Sequence, residues 1–313
     1  MSRPGRNVEV IENESIRVAR SRAPDSVWST PVSSALHRLT PYQQEALQHR
    51  FPRFDVLSDM SWNLVETTVL HIDSPDGQLV VKAGGASDHH IAREIRAHEM
   101  WTGPWVATGH AARMFHSDRD AKLIVTEYLP GRLVQDHPAM SDPDTYQQAG
   151  RLLAVFHAQY RVEDEHYEER ANDKSLRWLD GPHRVEPDLV EQLRAMIRSW
   201  STPTTTLVPT HGDWHTRNWL IDSDNAVRVI DFGRADLRHA AEDFERLAAR
   251  EFLSVAGSED AFLDGYGSDP REPEAWFRQR IRAAVATAVW AFQVGDYAYE
   301  AEGHRMIADL LTR

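Results

Sequence analysis

The residues best suited to catalysis lie in two short segments, HGDWHTRN at 211–218 and VIDFG at 229–233. Asp213 and Asn218 stand five residues apart, and Asp231 follows thirteen residues after Asn218, where a short apolar strand ends. A hairpin between Asn218 and Asp231 would bring these two side chains to the same point. Carboxylate and amide oxygens can hold Mg²⁺, and a positioned carboxylate can take the proton of a hydroxyl group.

These groups fit phosphoryl transfer, which needs a proton-accepting carboxylate, ligands for Mg²⁺ and a cation that holds the phosphates in line. Lys82 supplies such a cation at the end of an apolar run, LVVK. The helix predicted after it offers Glu94 and Glu99 as partners for an ion pair. A lysine, an Asp and Asn five residues apart, and then Asp-Phe-Gly, in this order, form the pattern of kinases.

Two other functions use the same residues. His211, Asp213 and His215 form an H-x-D-x-H run whose alternate side chains would point one way on an extended segment. Such a run could hold zinc or a pair of metals for hydrolysis, but it has no use for the Asp-Phe-Gly motif. The second alternative is a non-catalytic kinase-fold binding protein. That class normally loses a functional residue, whereas this sequence keeps the lysine, both aspartates and the asparagine.

Composition excludes several other classes. The 35 Lys and Arg against 48 Asp and Glu give a net charge of −13, which argues against nucleic-acid binding. The same charge leaves a cationic small-molecule partner open, although a solvated acidic surface explains it equally well. The absence of cysteine excludes disulfides, thiolate catalysis and Cys-ligated zinc. The longest charge-free apolar stretch, 283–294, is too short for a bilayer, and no signal-like segment begins the chain, so we predict a cytoplasmic protein without a membrane partner.

The order of predicted elements indicates an α+β protein with two lobes and a cleft. Strand-like runs lie at 66–72, 78–83 and 123–128, helical patterns at 90–101, 146–160, 187–200 and 276–294, and two further short strands at 218–221 and 226–230. We therefore predict an N-terminal extension over 1–55 that packs on the fold, a small strand-rich lobe over 56–128 and a larger helical lobe over 129–313. The oligomeric state stays open.

Several segments resemble the aminoglycoside phosphotransferase family, whose relatives include choline and homoserine kinases and share the bilobal protein-kinase-like fold. HGDWHTRN is similar to the H-G-D-x-x-x-x-N loop of that family, VIDFGRA to its I-D-F/W-G motif, and TEYLPG at 126–131 to its E-x-L-P-G hinge. The Arg-Glu pair at 93–94, followed by Trp101, resembles the helix that carries the partner of the lysine. The resemblance covers about 56–255.

The resemblance implies roles for individual residues and for the substrates. Asp213 would be the catalytic base, and Asn218 and Asp231 would be Mg²⁺ ligands. Lys82 would bind the α- and β-phosphates, with Glu94 as its partner. The backbone of Thr126 and Tyr128 would bond the adenine or guanine ring, and Ser61 would bond a phosphate. ATP or GTP would be the donor, and a hydroxylated antibiotic or related polar metabolite the acceptor. The loop at 59–64 departs from the family because it has no glycine, so Ser61 serves equally well as a plain turn residue.

The resemblance and the reaction geometry also place the acceptor. Asp243 falls where the family has a structural aspartate, and we expect it to anchor a loop or a helix start. The nucleotide would occupy the space between the lobes. The acceptor should therefore lie between the loop of Asp213 and the helices from about residue 239 onward.

Overall fold

The chain first forms an antiparallel sheet and then becomes largely helical; the structure, a computed structural model, describes residues 32–61 and 66–312. The strands of these residues are β1 Asp55–Asp59, β2 Thr68–Ser74, β3 Gly77–Ala83, β4 Met114–Asp118, β5 Leu123–Glu127, β6 Arg132–Leu133, β7 Val162–Asp164, β8 Thr205–Thr210, β9 Trp219–Ile221, β10 Val227–Val229 and β11 Asp236–Arg238. The α-helices are α1 Pro41–Arg50, α2 His90–Met100, α3 Gly103–Ala107, α4 Pro143–His157, α5 Tyr167–Asp180, α6 Pro187–Ser199, α7 Glu245–Ala249, α8 Glu251–Ser254, α9 Ser258–Tyr266, α10 Pro273–Val294 and α11 Tyr297–Leu311. Short 3₁₀ helices lie at Val32–Arg38, Pro138–Ser141 and Ala240–Phe244.

The N-terminal sheet has the strand order β1-β2-β3-β5-β4, with every neighbouring pair antiparallel. Strands β2 and β3 alternate between buried and less buried residues, as a sheet with one covered face requires. Leu47 of α1 and Phe51, directly after it, belong to the same buried cluster as Leu70 and Val81 of the sheet. The side chain of Gln43 in α1 also donates to the carbonyls of Gly84 and Ala121. The segment just before the sheet therefore packs on it, whereas residues 1–31 of the predicted extension lie outside the described part.

The helical part is built around a second core rich in aromatic side chains. Trp105, Phe156, Trp214 and Phe232 are almost completely buried and lie against one another. Helices α4 and α9 pack so closely that a Cβ at Gly150 would lie 2.2 Å from the carbonyl oxygen of Phe262 in α9. Ile281, Val285 and Ala288 of the long helix α10 lie in a third buried cluster, which side chains of α5, α6 and α11 complete.

The predicted fold class is confirmed, since strands and helices combine in an α+β arrangement typical of kinase-like proteins. The predicted strands recur with shifts of one or two residues at their ends, but the sequence did not reveal β1, β4 or the three-stranded sheet β7-β8-β11. Strand β8 is central in that sheet although it contains Pro209, a residue that usually argues against a central strand. The lobe limits 56–128 and 129–313 stay a prediction. Within the described residues, no helix is both long and apolar enough to cross a membrane.

Candidate active site

The loop 211–218 connects β8 to β9 and is fixed at its start by a buried carboxylate. Asp243 accepts the backbone N–H groups of His211 at 2.7 Å and Gly212 at 2.6 Å, and it contacts His157 Nε2 at 3.0 Å. Burial would raise the pKa of Asp243, but the bond from His157 and the nearby N–H groups keep that pKa lowered. Gly212 has φ +77°, and a Cβ there would lie 2.3 Å from the carbonyl oxygen of Arg234. Asp243 therefore anchors the loop, as the sequence predicted.

A second buried carboxylate holds the far end of the same loop. Thr216 Oγ1 donates to Glu251 Oε1 at 2.9 Å, and both residues are buried. Trp214 lies between these two anchors and packs its ring against Trp105 and Trp219. The backbone of the loop is therefore held from both ends and from beneath. The sequence did not predict Glu251, because a single Glu in a helical segment has no distinguishing pattern.

Asp213 lies at the centre of the loop and is surrounded by donors and positive charge. Its Oδ2 atom accepts from Asn218 Nδ2 at 3.2 Å, and its Oδ1 atom lies 2.7 Å from Arg246 Nε and 3.4 Å from His215 Nε2. Burial would raise the pKa of Asp213, but the contact with His215 and the charges of Arg246 and Arg234 lower it far below its usual range. The carboxylate is therefore ionised at neutral pH, and its side chain is 19% exposed.

The lysine and both of its partners meet near the end of β3, the central strand of the N-terminal sheet. Lys82 Nζ lies 2.7 Å from Glu94 Oε1 and 3.2 Å from Asp231 Oδ1. Burial would lower the pKa of Lys82, but the charges of Asp231 and Glu94 raise it above its usual value. Glu99, the other partner that the sequence offered, pairs instead with Arg119 at 2.6 Å. The structure therefore joins the predicted lysine and glutamate to the aspartate of the Asp-Phe-Gly motif.

The predicted metal ligands lie at the ends of one hairpin. The N–H of Ile230 donates to the carbonyl of Asn218 at 3.0 Å, and β9 pairs with β10 directly beside them. The amide nitrogen of Asn218 donates to the backbone oxygen of Asp213 as well as to its carboxylate, which leaves the amide oxygen as its remaining donor atom for a metal. Asp231 follows at φ +67°, a conformation that Asp tolerates, and its side chain is 52% exposed. A carboxylate and an amide oxygen next to open space fit Mg²⁺.

The histidines of the loop do not fit a zinc site. His211 Nε2 lies 3.1 Å from the carbonyl of Ile230, and its Nδ1 accepts the N–H of Asp213 at 3.3 Å, so both ring nitrogens are occupied. Burial lowers the pKa of His211, in agreement with a neutral ring that donates on one side and accepts on the other. In the described part of the chain, no group of three or more His, Asp or Glu side chains could hold a metal. The hydrolase alternative is not favoured.

Three residues predicted to bind the nucleotide have contacts within the protein. Thr126 lies in β5 opposite Val80 of β3. The N–H of Tyr128 donates to the carbonyl of Gln78 at 3.0 Å. The carbonyl of Tyr128 is therefore the backbone group of this residue that can bond the ring of a nucleotide. Ser61 Oγ accepts the N–H of Val69 at 2.9 Å in the connection between β1 and β2, which fits the turn role. The roles of Thr126, Tyr128 and Ser61 stay predictions, and residues 62–65 of the loop lie outside the described residues.

Solved structures of other proteins share the fold of this chain. The chain resembles a thermostable mutant of aminoglycoside phosphotransferase APH(4)-Ia (TM-score 0.65, 13% identity, 86% of this chain and 98% of that chain). It also resembles the choline kinase LicA from Streptococcus pneumoniae (TM-score 0.59, 14% identity, coverage 86% and 97%). A third neighbour is a macrolide 2'-phosphotransferase from Brachybacterium faecium (TM-score 0.54, 17% identity, coverage 87% and 98%). At these identities the likeness shows a shared fold. A search of curated protein sequences gave no significant match.

Family membership comes from the sequence itself. The model of the family described as "Phosphotransferase enzyme family" (APH) matches residues 64–276, more than half of the chain. The matched region contains the Lys82–Glu94 pair, the loop of Asp213 and the Asp-Phe-Gly motif. The predicted resemblance is confirmed: the chain belongs to the APH phosphotransferase enzyme family and is a phosphotransferase.

Proposed function

We propose that the protein transfers the γ-phosphoryl group of ATP or GTP to a hydroxyl group of a small polar acceptor, an antibiotic or a related metabolite. One observation carries this proposal. Lys82 is held between Glu94 and Asp231, while Asp213 lies on the loop that Asn218 closes. These are the parts that phosphoryl transfer requires, joined at one place from segments far apart in the chain.

The residues divide the work of the reaction between them. Lys82 binds the phosphates of the donor, and Asp213 orients the acceptor hydroxyl. The hydroxyl oxygen forms a bond to the γ-phosphorus, the bond from that phosphorus to the nucleoside diphosphate breaks, and the proton passes to Asp213. Asn218 and Asp231 would hold Mg²⁺, which supplies neutralisation of the phosphate charge. Catalysis comes from positioning and electrostatics, because the loop is held rigidly by Asp243 and its neighbours.

The solved neighbours support the two kinds of substrate without identifying them. One ternary complex of the APH(4)-Ia mutant contains ADP and hygromycin B, and another contains AMP-PNP and hygromycin B. By analogy we propose a nucleotide donor and a hydroxylated small-molecule acceptor for this chain. A role in antibiotic resistance follows from the proposal if the acceptor is an antibiotic.

A cationic acceptor, which the net charge of −13 left open, finds little support among the carboxylates of the C-terminal third. Glu302 pairs with Arg250 at 2.8 Å, and Glu242 contacts both Tyr167 and Arg238. These carboxylates already have partners, so a cationic acceptor would have to compete with them.

Thermal stability in the presence of ligands tests the proposal. Mg·ATP or Mg·GTP should raise the melting temperature, and more so at higher ligand concentration, because a ligand that binds the folded state stabilises it by mass action. Zn²⁺ alone should not. A screen for nucleoside diphosphate release over hydroxylated antibiotics and metabolites should then reveal the acceptor. Stabilisation by Zn²⁺ together with indifference to both nucleotides would contradict the proposal and favour the hydrolase.

A further inference from the structure

Arg246 lies directly beside the carboxylate of Asp213, the proposed catalytic base. Its Nε atom is 2.7 Å from Asp213 Oδ1, and its side chain is 29% exposed. The contact is ionic, since within the described residues Oδ1 has no partner with hydrogen-bond geometry. The other oxygen, Oδ2, accepts from Asn218. Oδ1 is buried beside Arg246, and a substrate hydroxyl that reaches the carboxylate of Asp213 must arrive next to the guanidinium of Arg246.

The guanidinium of Arg246 also has unused donors, unlike most arginines around it. Arg250, one turn further along the chain, makes two hydrogen bonds to the carboxylate of Glu302, at 3.0 and 2.8 Å. Arg271 is held in the same way by Asp269. For Arg246, no acceptor of a guanidinium hydrogen bond occurs in the described part of the chain, and its one close carboxylate is Asp213. The planar guanidinium of Arg246 therefore keeps N–H donors available at the position where the acceptor must bind.

Further positive charge surrounds this position. Arg234, directly after the Asp-Phe-Gly motif, is exposed and contributes to the lowered pKa of Asp213. Burial lowers the pKa of Lys174 in α5, and Arg238, Arg93 and Arg234 lower it further, with Glu242 acting in the opposite direction. Arg234 therefore acts on both Asp213 and Lys174. Burial raises the pKa of Glu245, the neighbour of Arg246 in the chain, to about 7, so this carboxylate offsets the positive charge only in part at neutral pH. The remaining positive charge attracts anions.

We propose that Arg246 binds an anionic oxygen group of the acceptor, such as a carboxylate, adjacent to the hydroxyl that is phosphorylated. This inference rests on the proposed function. Arginine and a carboxylate form paired, charge-assisted hydrogen bonds of fixed geometry, so the contact orients the acceptor as well as binding it. Arg246 then exchanges Asp213 for the acceptor, and Oδ1 becomes free to receive the hydroxyl. Arg246 is in this sense a specificity-determining residue, and a cationic acceptor would meet its repulsion.

The test compares acceptors that differ in charge alone. Gluconate, glucitol and glucamine form a matched anionic, neutral and cationic set, and a library of hydroxylated antibiotics and metabolites can be sorted in the same way. Initial rates with Mg·ATP are measured for the wild type, Arg246→Gln and Arg246→Lys. Arg119→Gln, which removes one positive charge from an exposed pair with Glu99, is the matched control. Melting temperature and nucleotide affinity show whether each variant is folded.

The expected acceptors are anionic. Arg246→Gln should raise their KM by about tenfold or more, and by a larger factor than it lowers kcat, since it removes a charge-assisted contact made throughout the reaction. Arg246→Lys should restore part of the affinity, and the control should leave KM unchanged. Phosphorylation of neutral or cationic acceptors alone, or a KM that is indifferent to Arg246→Gln, would overturn this inference and leave the proposed function intact. Transfer to no member of any set would overturn both.

Discussion

On the proposed nucleotide side of the cleft, Lys82 contacts Glu94 and Asp231, and all three belong to short motifs that the sequence displays. On the proposed acceptor side, Asp213 contacts Arg246, which belongs to no such motif. The first side binds groups that every phosphoryl transfer shares, whereas the second must fit one particular acceptor. The type of reaction can therefore be predicted from sequence motifs, whereas the acceptor has to be inferred from the contacts of individual side chains.

The largest effect should come from Asp213→Ala, which removes the proposed base and leaves the proposed nucleotide side intact. We expect kcat to fall by about 10²–10⁴, the usual contribution of a positioned general base. Nucleotide affinity should be nearly unchanged, as measured by calorimetry. Asp224→Ala, at an exposed turn between β9 and β10, is the control. A variant that keeps more than about a tenth of the wild-type kcat would remove Asp213 from the catalytic role.

The next effect concerns the other side of the comparison. Asp231→Asn should weaken nucleotide binding in the presence of Mg²⁺ by about tenfold or more, because the carboxylate that would hold the metal loses its charge. Binding measured in EDTA should change much less. The ratio of the two affinities is the quantity of interest. Equal losses with and without Mg²⁺ would mean that Asp231 acts through Lys82 alone.

Asp243→Asn should disturb both sides moderately, since Asp243 holds the loop without lying at either substrate. Loss of its charge weakens three buried hydrogen bonds, so we expect the free energy of unfolding to fall by about 1–3 kcal/mol in urea titrations. The pKa of Asp243 is lowered in the folded protein, so its stabilising effect is present above the unfolded value near pH 4 and is lost as the pH falls through the folded value. The variant should therefore show a weaker loss of stability in acid than the wild type. An unchanged acid dependence would contradict the ionised anchor.

The smallest effect should follow from His215→Ala. His215 contacts Asp213 at 3.4 Å and has no place on the nucleotide side, so nucleotide affinity should stay within about twofold. Elemental analysis of the wild type and the variant should find no bound zinc. Zinc that is present in the wild type and absent from the variant would restore the hydrolase interpretation.

The sequence predicted the hairpin that joins Asn218 to Asp231 because spacing constrains it, whereas the roles of Thr126, Tyr128 and Ser61 stay predictions. A base and an amide five residues apart, followed by an aspartate after a short strand, leave few arrangements other than the observed hairpin. The family resemblance indicated Asp243, which the structure joins to the backbone of His211 and Gly212. For these residues, local order along the chain determines position in space.

The sequence could not reveal Arg246, Glu251 or β8 for a different reason. Arg246 and Glu251 reach the loop of Asp213 only through the packing of α7 and α8, so no local pattern marks them. Strand β8 carries Pro209, which masked it, and it is stabilised by pairing with strands distant in sequence. Tertiary contacts override local preference at such positions.

The most direct test of the central claim follows the γ-phosphoryl group itself. Wild type and Asp213→Ala are incubated with Mg·ATP carrying ¹⁸O in the γ-phosphoryl group and with the acceptor library, and the products are separated by mass spectrometry. We expect the wild type to form an organic phosphate ester that carries the labelled phosphoryl group, and the variant to form almost none at equal nucleotide affinity. Label that appears only in inorganic phosphate, or equally with both proteins, would contradict this expectation.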